Sequence, residues 1–174
     1  MAVSEQTIEA PPAWPEAAVL VQLAAAADVV ILPDRVETID GVTRVSFRDD
    51  AQALRVVAQE QGLNAVVALP AGAKPALYRE HDASLVLSGL LGLASGITSG
   101  LATHYIQRFI DRFRATEGDT KPLPTVRYRE ALVDGDTVKA REIVGPADEV
   151  ARLLRQRSLD APSASEPPDH DPGP

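Results

Sequence analysis

The sequence predicts an α+β fold made of two strand-strand-helix units and one long, glycine-rich apolar helix between them. Two Asp-Gly pairs, at 40–41 and 134–135, each lie between runs rich in β-branched residues, a pattern typical of two-residue hairpins of type I′. A one-sided apolar stripe of helical period follows each hairpin. Between the two units, residues 83–107 contain no Asp, Glu, Lys or Arg. Together these observations indicate a single α+β domain over residues 14–157.

The first unit is preceded by a helix and a strand. Pro15 suits the first turn of a helix over residues 17–27, which is rich in alanine. The apolar run 29–32 then predicts a buried strand that ends before a proline. A second helix and strand are predicted over 52–61 and 65–69, in the same order.

Both hairpins give chemically sensible registers when the Asp-Gly pair forms the turn. Opposite charges then face each other across the strands in both copies. The predicted pairs are Glu37 with Arg44, Glu130 with Lys139, and Arg127 with Glu142. Asp50 is predicted to cap the helix after the first hairpin, and Pro146 to begin the helix after the second.

Small residues recur every four positions in the uncharged run, at Ser88, Gly92, Gly96 and Gly100. On a helix this spacing makes one smooth side against which another backbone can lie closely. We therefore expect a long helix over about residues 83–115 whose small side is a helix-packing interface. Its partner would be a second copy of the chain, another protein, or the core of the same domain.

A membrane is the other environment that the uncharged run fits. At ~1.5 Å per residue it is long enough to cross a hydrocarbon core of ~30 Å. Its glycine, serine and threonine residues oppose insertion as a lone helix, and the arginines that follow it suit a membrane interface. Membrane association and burial within protein both stay open at this point.

Composition limits the classes of function. The chain has 174 residues, a formal net charge of −8 and no cysteine, so that disulfides and cysteine nucleophiles are excluded. No basic, aromatic-rich face for nucleic acid is visible. The N-terminus lacks the basic and apolar regions of a signal peptide, which predicts a cytoplasmic protein. Residues 1–13 and the acidic, proline-rich residues 158–174 are predicted to be disordered.

Candidate chemistry is sparse. His104 and Arg108 lie one helical turn apart and could form a polar or anion-binding site at the end of the small-residue side. Glu80, His81 and Asp82 are adjacent, and adjacent residues rarely converge on one metal ion. No nucleotide-binding or hydrolase motif occurs. We therefore predict no catalytic, cofactor or metal residues, and an enzyme only if scattered residues such as His104 and Arg108 assemble a site.

The order of parts over residues 85–157 resembles the effector-associated constant components of bacterial NTP-dependent conflict systems. In those proteins a glycine-rich apolar helix leads into an aromatic and arginine segment, here YIQRFIDRFR. A strand, an Asp-Gly turn, a second strand and a short helix follow, here TVRYREALVDGDTVKAREIVGPADEVARLLR. The resemblance implies a non-enzymatic adaptor or a membrane-directed accessory protein that acts beside a separate effector.

Two functions follow from these patterns. The first is a non-enzymatic accessory protein that self-associates or binds a protein partner through Ser88, Gly92, Gly96 and Gly100, in the cytoplasm or at a membrane. The second is a soluble ligand-binding or regulatory α+β domain whose glycine-rich helix is buried in its own core. Gly96→Leu separates them, because it would abolish assembly in the first and lower the melting temperature of a monomer in the second.

Overall fold

The computed structural model describes residues 2–48, 50–78, 85–92 and 95–161, without the side chains of Ser88 and Ser95. These residues form nine strands and four helices, which confirms the α+β fold. In chain order the elements are β1 (Ser4–Glu9), α1 (Ala17–Ala26), β2 (Val29–Ile31), β3 (Arg35–Ile39), β4 (Val42–Arg48), α2 (Asp50–Glu60), β5 (Ala65–Val67), β6 (Lys74–Tyr78), β7 (Leu85–Gly92), α3 (Ser95–Glu117), β8 (Thr125–Asp134), β9 (Thr137–Pro146) and α4 (Ala147–Asp160).

The strands form two sheets. The main sheet has the order β1-β9-β8-β7-β2-β5, and the smaller sheet has the order β3-β4-β6. Helices α2, α3 and α4 pack over one face of the main sheet, in a core that contains Leu90, Tyr128 and Ile143. Of the helices in the described ranges, only α1 packs over the other face, in a separate cluster with Trp14 and Ala131.

The first unit follows the sequence closely. Asp40 and Gly41 both have positive φ, 51° and 75°, as a type I′ turn requires. The register pairs Glu37 with Arg44, as predicted. The helix of the unit begins at Asp50, and the preceding α1 and β2 also lie where the sequence places them.

The predicted register of the second hairpin is wrong by two residues. Asp134 pairs with Thr137, so the turn consists of Gly135 and Asp136, with Gly135 at φ 56°. Glycine at the first central position is the signature of a type II′ turn, which competes with type I′ in a sequence where Gly is flanked by Asp on both sides. Glu130 consequently faces Arg141 instead of Lys139. Because the shift is even, every side chain keeps its predicted face of the sheet.

The predicted long helix over residues 83–115 is wrong in its first part. Residues Leu85–Gly92 form β7, a central strand with a bulge between Leu87 and Leu90, and the helix spans Ser95–Glu117. A strand that is covered on both faces reads as a continuous apolar run, which periodicity alone does not distinguish from a buried helix. No helix within the described ranges has both the length and the apolar composition that crossing a bilayer requires.

The predicted disorder of residues 1–13 is also wrong. Ser4–Glu9 forms the edge strand β1, which pairs antiparallel with β9. Its side chains are nearly all exposed, so it has the polar composition of a disordered segment. The backbone ladder with β9 orders it. At the other end α4 continues to Asp160, three residues into the predicted tail, and residues 162–174 lie outside the described residues.

Candidate functional site

The four small residues do not form one stripe. Ser88 and Gly92 belong to β7, where Gly92 pairs with Val29 of β2. Gly96 and Gly100 lie on α3 and face α4 of the same chain. A Cβ atom added at Gly96 would lie 2.9 Å from Cβ of Ala161, and one added at Gly100 would lie 3.2 Å from Oγ of Ser158. The predicted interface is therefore half strand ladder and half an internal helix-helix contact.

A cleft of about 320 Å³ runs beside this contact. Helix α3 forms one wall, α4 forms the other, and Gln61 closes it just after the end of α2. Its lining residues are Gln61, Gly100, Thr103, His104, Gln107, Arg155, Ser158 and Leu159. The close approach of the two helices at the glycines gives the cleft its floor, because larger side chains there would push α4 away.

Polar side chains make up most of the cleft lining, and some of them are already engaged. Thr103 Oγ1 donates to the Ser99 carbonyl oxygen at 2.7 Å, and Ser158 Oγ donates to the Gly96 carbonyl oxygen at 3.1 Å. Within the described part of the chain, no hydrogen bond or ion pair engages the side chains of His104, Arg155 and Gln61, which are therefore available to a ligand. No Asp or Glu is among the described lining residues, although the chain as a whole carries 25 acidic residues.

The structure separates the two predicted polar candidates. His104 lies in this cleft, whereas Arg108 lines a neighbouring groove of about 380 Å³ between α2 and α3. There Arg108 Nη1 forms an ion pair with Glu60 Oε2. One-turn spacing on α3 predicted a shared site, but the acidic residue on α2 draws the guanidinium away from His104.

Sequence reasoning missed a buried acidic residue beneath α3. Glu130 of β8 is 5% exposed and accepts a hydrogen bond of 2.9 Å from Thr98 Oγ1. Arg141 Nη1 lies 3.4 Å from its other carboxylate oxygen. The network continues to Glu5 of the edge strand β1. Arg141 Nε lies 3.6 Å from the Glu5 carboxylate, and Arg157 of α4 donates two hydrogen bonds of 2.5 and 2.6 Å to it. The alternation Val126, Tyr128, Glu130 is the sequence signal that places this carboxyl on the buried face.

Burial shapes the protonation of this network. Desolvation raises the pKa of Glu130 above its ordinary value, against the hydrogen bond from Thr98 and the charges of Arg141 and Arg157. Desolvation also raises the pKa of the neighbouring Tyr128 phenol, which therefore stays neutral. Glu142 of β9 lies on the face of the main sheet opposite to Glu130, and its pKa is lowered. Its own desolvation acts against this shift, but hydrogen bonds from Arg129 and Gln6 outweigh it.

A second polar cluster joins the two sheets. Arg48 is 7% exposed, its backbone N–H donates to Asp34 Oδ2 at 3.1 Å, and its Nε lies 3.8 Å from Asp50 Oδ2. Tyr105 of α3 donates to Asp50 Oδ1 at 2.9 Å. These contacts link Arg48 of the smaller sheet to α2, and α2 to α3. A space of about 10 Å³ beside Arg48, between α2 and the strands β2 and β7, is about the size of one water molecule.

Among the residues that the structure describes, no three acidic or histidine side chains are grouped so that they could hold a metal ion. The adjacent Glu80, His81 and Asp82 lie outside the described residues.

No protein-family model matches the chain, and comparisons with curated proteins and with solved structures find no similar protein.

Proposed function

We propose that the protein is a non-enzymatic regulatory domain that binds a small anion, a carboxylate or a phosphate, in the cleft between α3 and α4. One observation carries the proposal. In an acid-rich chain, a cleft of ligand size holds Arg155, His104 and Gln61 and none of the described Asp or Glu side chains. This proposal extends the prediction of a ligand-binding α+β domain whose glycine-rich helix packs within its own fold.

The expected affinity is modest. A charge-assisted hydrogen bond contributes about 1.5–3 kcal/mol; three contacts at the weak end of this range, about 4.5 kcal/mol together, correspond to a dissociation constant on the order of 0.1–1 mM. The cleft is open to solvent, which favours the weaker end of this range. Such an affinity suits a sensor of an abundant metabolite.

Isothermal titration calorimetry with inorganic phosphate and with citrate tests the proposal. Arg155→Gln should weaken binding about tenfold or more, because it removes the guanidinium from the cleft. Arg152→Gln is the matched control, since Arg152 is an exposed arginine on the same helix but does not line the cleft. His104→Ala should weaken binding by a smaller factor. Equal affinities of Arg155→Gln and Arg152→Gln would reject the site. So would the absence of binding of either anion at about 10 mM, roughly ten times the weakest dissociation constant expected.

The accessory role implied by the layout of residues 85–157 stays a prediction. The stripe on which that role was placed is divided between β7 and α3, and its helical half contacts α4. An interface for a partner therefore has to be sought elsewhere on the surface.

A further inference from the structure

Helix α1 is apolar on its outer as well as its inner side. Ala17, Leu20 and Ala24 are buried against the main sheet. The outer side consists of exposed alanines and valines with Gln22 as its polar residue, and the exposed fractions of Val19 and Val21 are 44% and 56%. No charged residue occurs from Ala17 to Ala27. A helix that is apolar all round is normally covered on all sides, so this face indicates a contact with another molecule.

A concavity of about 510 Å³ adjoins the amino-terminal end of α1. The apolar part of its walls is formed by prolines 11, 12 and 15, by Trp14 and by Val138. Two carboxylates line it, those of Glu16 and Asp136, and no Lys or Arg is among its described lining residues. Both acids are exposed at the surface. The concavity therefore suits a cationic side chain whose aliphatic stem packs on the prolines.

We propose that α1 and this concavity form one docking surface for a helix of another protein, with an apolar side against α1 and a Lys or Arg at the end that meets Glu16 and Asp136. In an antiparallel arrangement the carboxyl-terminal end of the partner helix lies at the amino-terminal end of α1. Basic residues are favoured at that end of a helix because they complement its dipole. This inference goes beyond the anion site and does not depend on it.

The acidic residues at the ends of α1 make a second copy of the chain and a membrane surface less suitable partners for this face. A second copy packed antiparallel would place Glu16 opposite the Asp28 of its neighbour, and a parallel pair would place Glu16 opposite Glu16. Both arrangements bring like charges together. The anionic headgroups of a membrane surface would likewise be repelled by Glu16 and Asp136.

A pair of designed peptides tests the inference with the full chain. Each is a helix of about 16 residues, blocked at both ends, with alanine and leucine on one side. One ends in two lysines and the other ends in two glutamates. Fluorescence anisotropy should show binding of the lysine peptide, at least tenfold tighter than that of the glutamate peptide, and this difference should shrink as salt is raised.

Three variants locate the contact. Val19→Glu should weaken binding of the lysine peptide about tenfold, whereas Val56→Glu, on α2 and equally exposed at 44%, should leave it unchanged. Asp136→Lys changes an exposed turn residue and should reverse the preference between the two peptides. Circular dichroism confirms that each variant is folded before its affinity is compared.

Other outcomes overturn the inference. Equal binding of both peptides would show that Glu16 and Asp136 do not select a basic partner. No binding of either peptide at about 1 mM would show that α1 is not a docking surface for such a helix. A wild-type dimer in light scattering that Val19→Glu makes monomeric would assign the face to a second copy. Binding to anionic phospholipid vesicles that Val19→Glu abolishes would assign it to a membrane.

Discussion

Helices α1 and α3 both carry a side of small, uncharged residues, yet the two sides have opposite surroundings. Gly96 and Gly100 of α3 lie within contact distance of α4 in the same chain. Ala18 and Ala25 of α1 face solvent. The pattern of small residues indicates a close contact in both helices, but it does not reveal whether the chain itself supplies the other half.

The layers of the fold explain the difference. The face of the main sheet that carries α2, α3 and α4 provides each helix with helical neighbours. On the other face α1 packs on β2, β7 and β8. The outer side of α1 is therefore exposed, whereas the small side of α3 brings α4 close and forms the floor of the cleft.

The largest expected effect lies beneath α1, at Gly89. This residue has φ +60°, and a Cβ atom there would lie 2.5 Å from Cβ of Leu32 and 2.9 Å from Cζ2 of Trp14. Gly89→Ala should therefore lower the free energy of unfolding by about 3 kcal/mol, from backbone strain and overpacking together. Urea denaturation measures the change.

Gly72→Ala separates the two contributions. Gly72 has φ +75°, but nothing lies within 4 Å of its added Cβ. This control should lose only about 1 kcal/mol. Equal losses in the two variants would show that Leu32 and Trp14 do not press on Gly89, and α1 would then not be held as described.

The next effect concerns the small side of α3. Gly96→Leu should lower the free energy of unfolding by about 2 kcal/mol, because the end of α4 at Ala161 has to move away. The mass in light scattering should stay the same as that of the wild type. Ala115→Leu, at an exposed position of the same helix, should have little effect on either quantity.

The opposite result for Gly96→Leu would show that α3, like α1, has its small side exposed. If Gly96→Leu leaves the unfolding free energy intact but converts an oligomer into monomers, the small side of α3 is an external interface after all. The internal contact with α4 would then be wrong.

The smallest effect is a pH dependence beneath α3. Burial raises the folded-state pKa of Glu130 above its unfolded value near 4.5. The contribution of this group to stability is therefore fully present below pH 4.5 and is lost as pH rises through the folded pKa, at no more than about 1.4 kcal/mol per pH unit. Glu130→Gln removes this titration and keeps an acceptor for Thr98 Oγ1.

Urea midpoints at several pH values between 4.5 and 8 measure this difference. Wild type should lose stability relative to Glu130→Gln as pH rises. Glu142 has the opposite sign, because its lowered pKa stabilises the fold above pH 4.5, but it is present in both proteins and cancels. A constant difference across the range would mean that Glu130 titrates as an ordinary carboxyl.

The sequence predicts local structure well where short-range chemistry decides it. Asp40 and Gly41 can both adopt positive φ, so the first turn and its register follow from two residues. The second hairpin offers two competing turns in Asp134-Gly135-Asp136, and the choice between them depends on the rest of the sheet. Residues 85–92 look helical because a strand covered on both faces has no polar side to show its period.

The cleft could be predicted only in part. His104 and Gly100 lie on one helix, and their spacing places them together. Arg155 and Gln61 come from other elements, and no local pattern connects them with His104. The ion pair of Arg108 with Glu60 likewise depends on how α2 packs on α3, which spacing along α3 does not reveal.

An NMR titration of the isotope-labelled protein with inorganic phosphate shows where an anion binds, because it reports every residue at once. We expect saturable shifts centred on Gln61, His104 and Arg155, and their loss in Arg155→Gln. Shifts centred on arginines away from the cleft, such as Arg114 or Arg129, would contradict this expectation, as would linear shifts that never saturate.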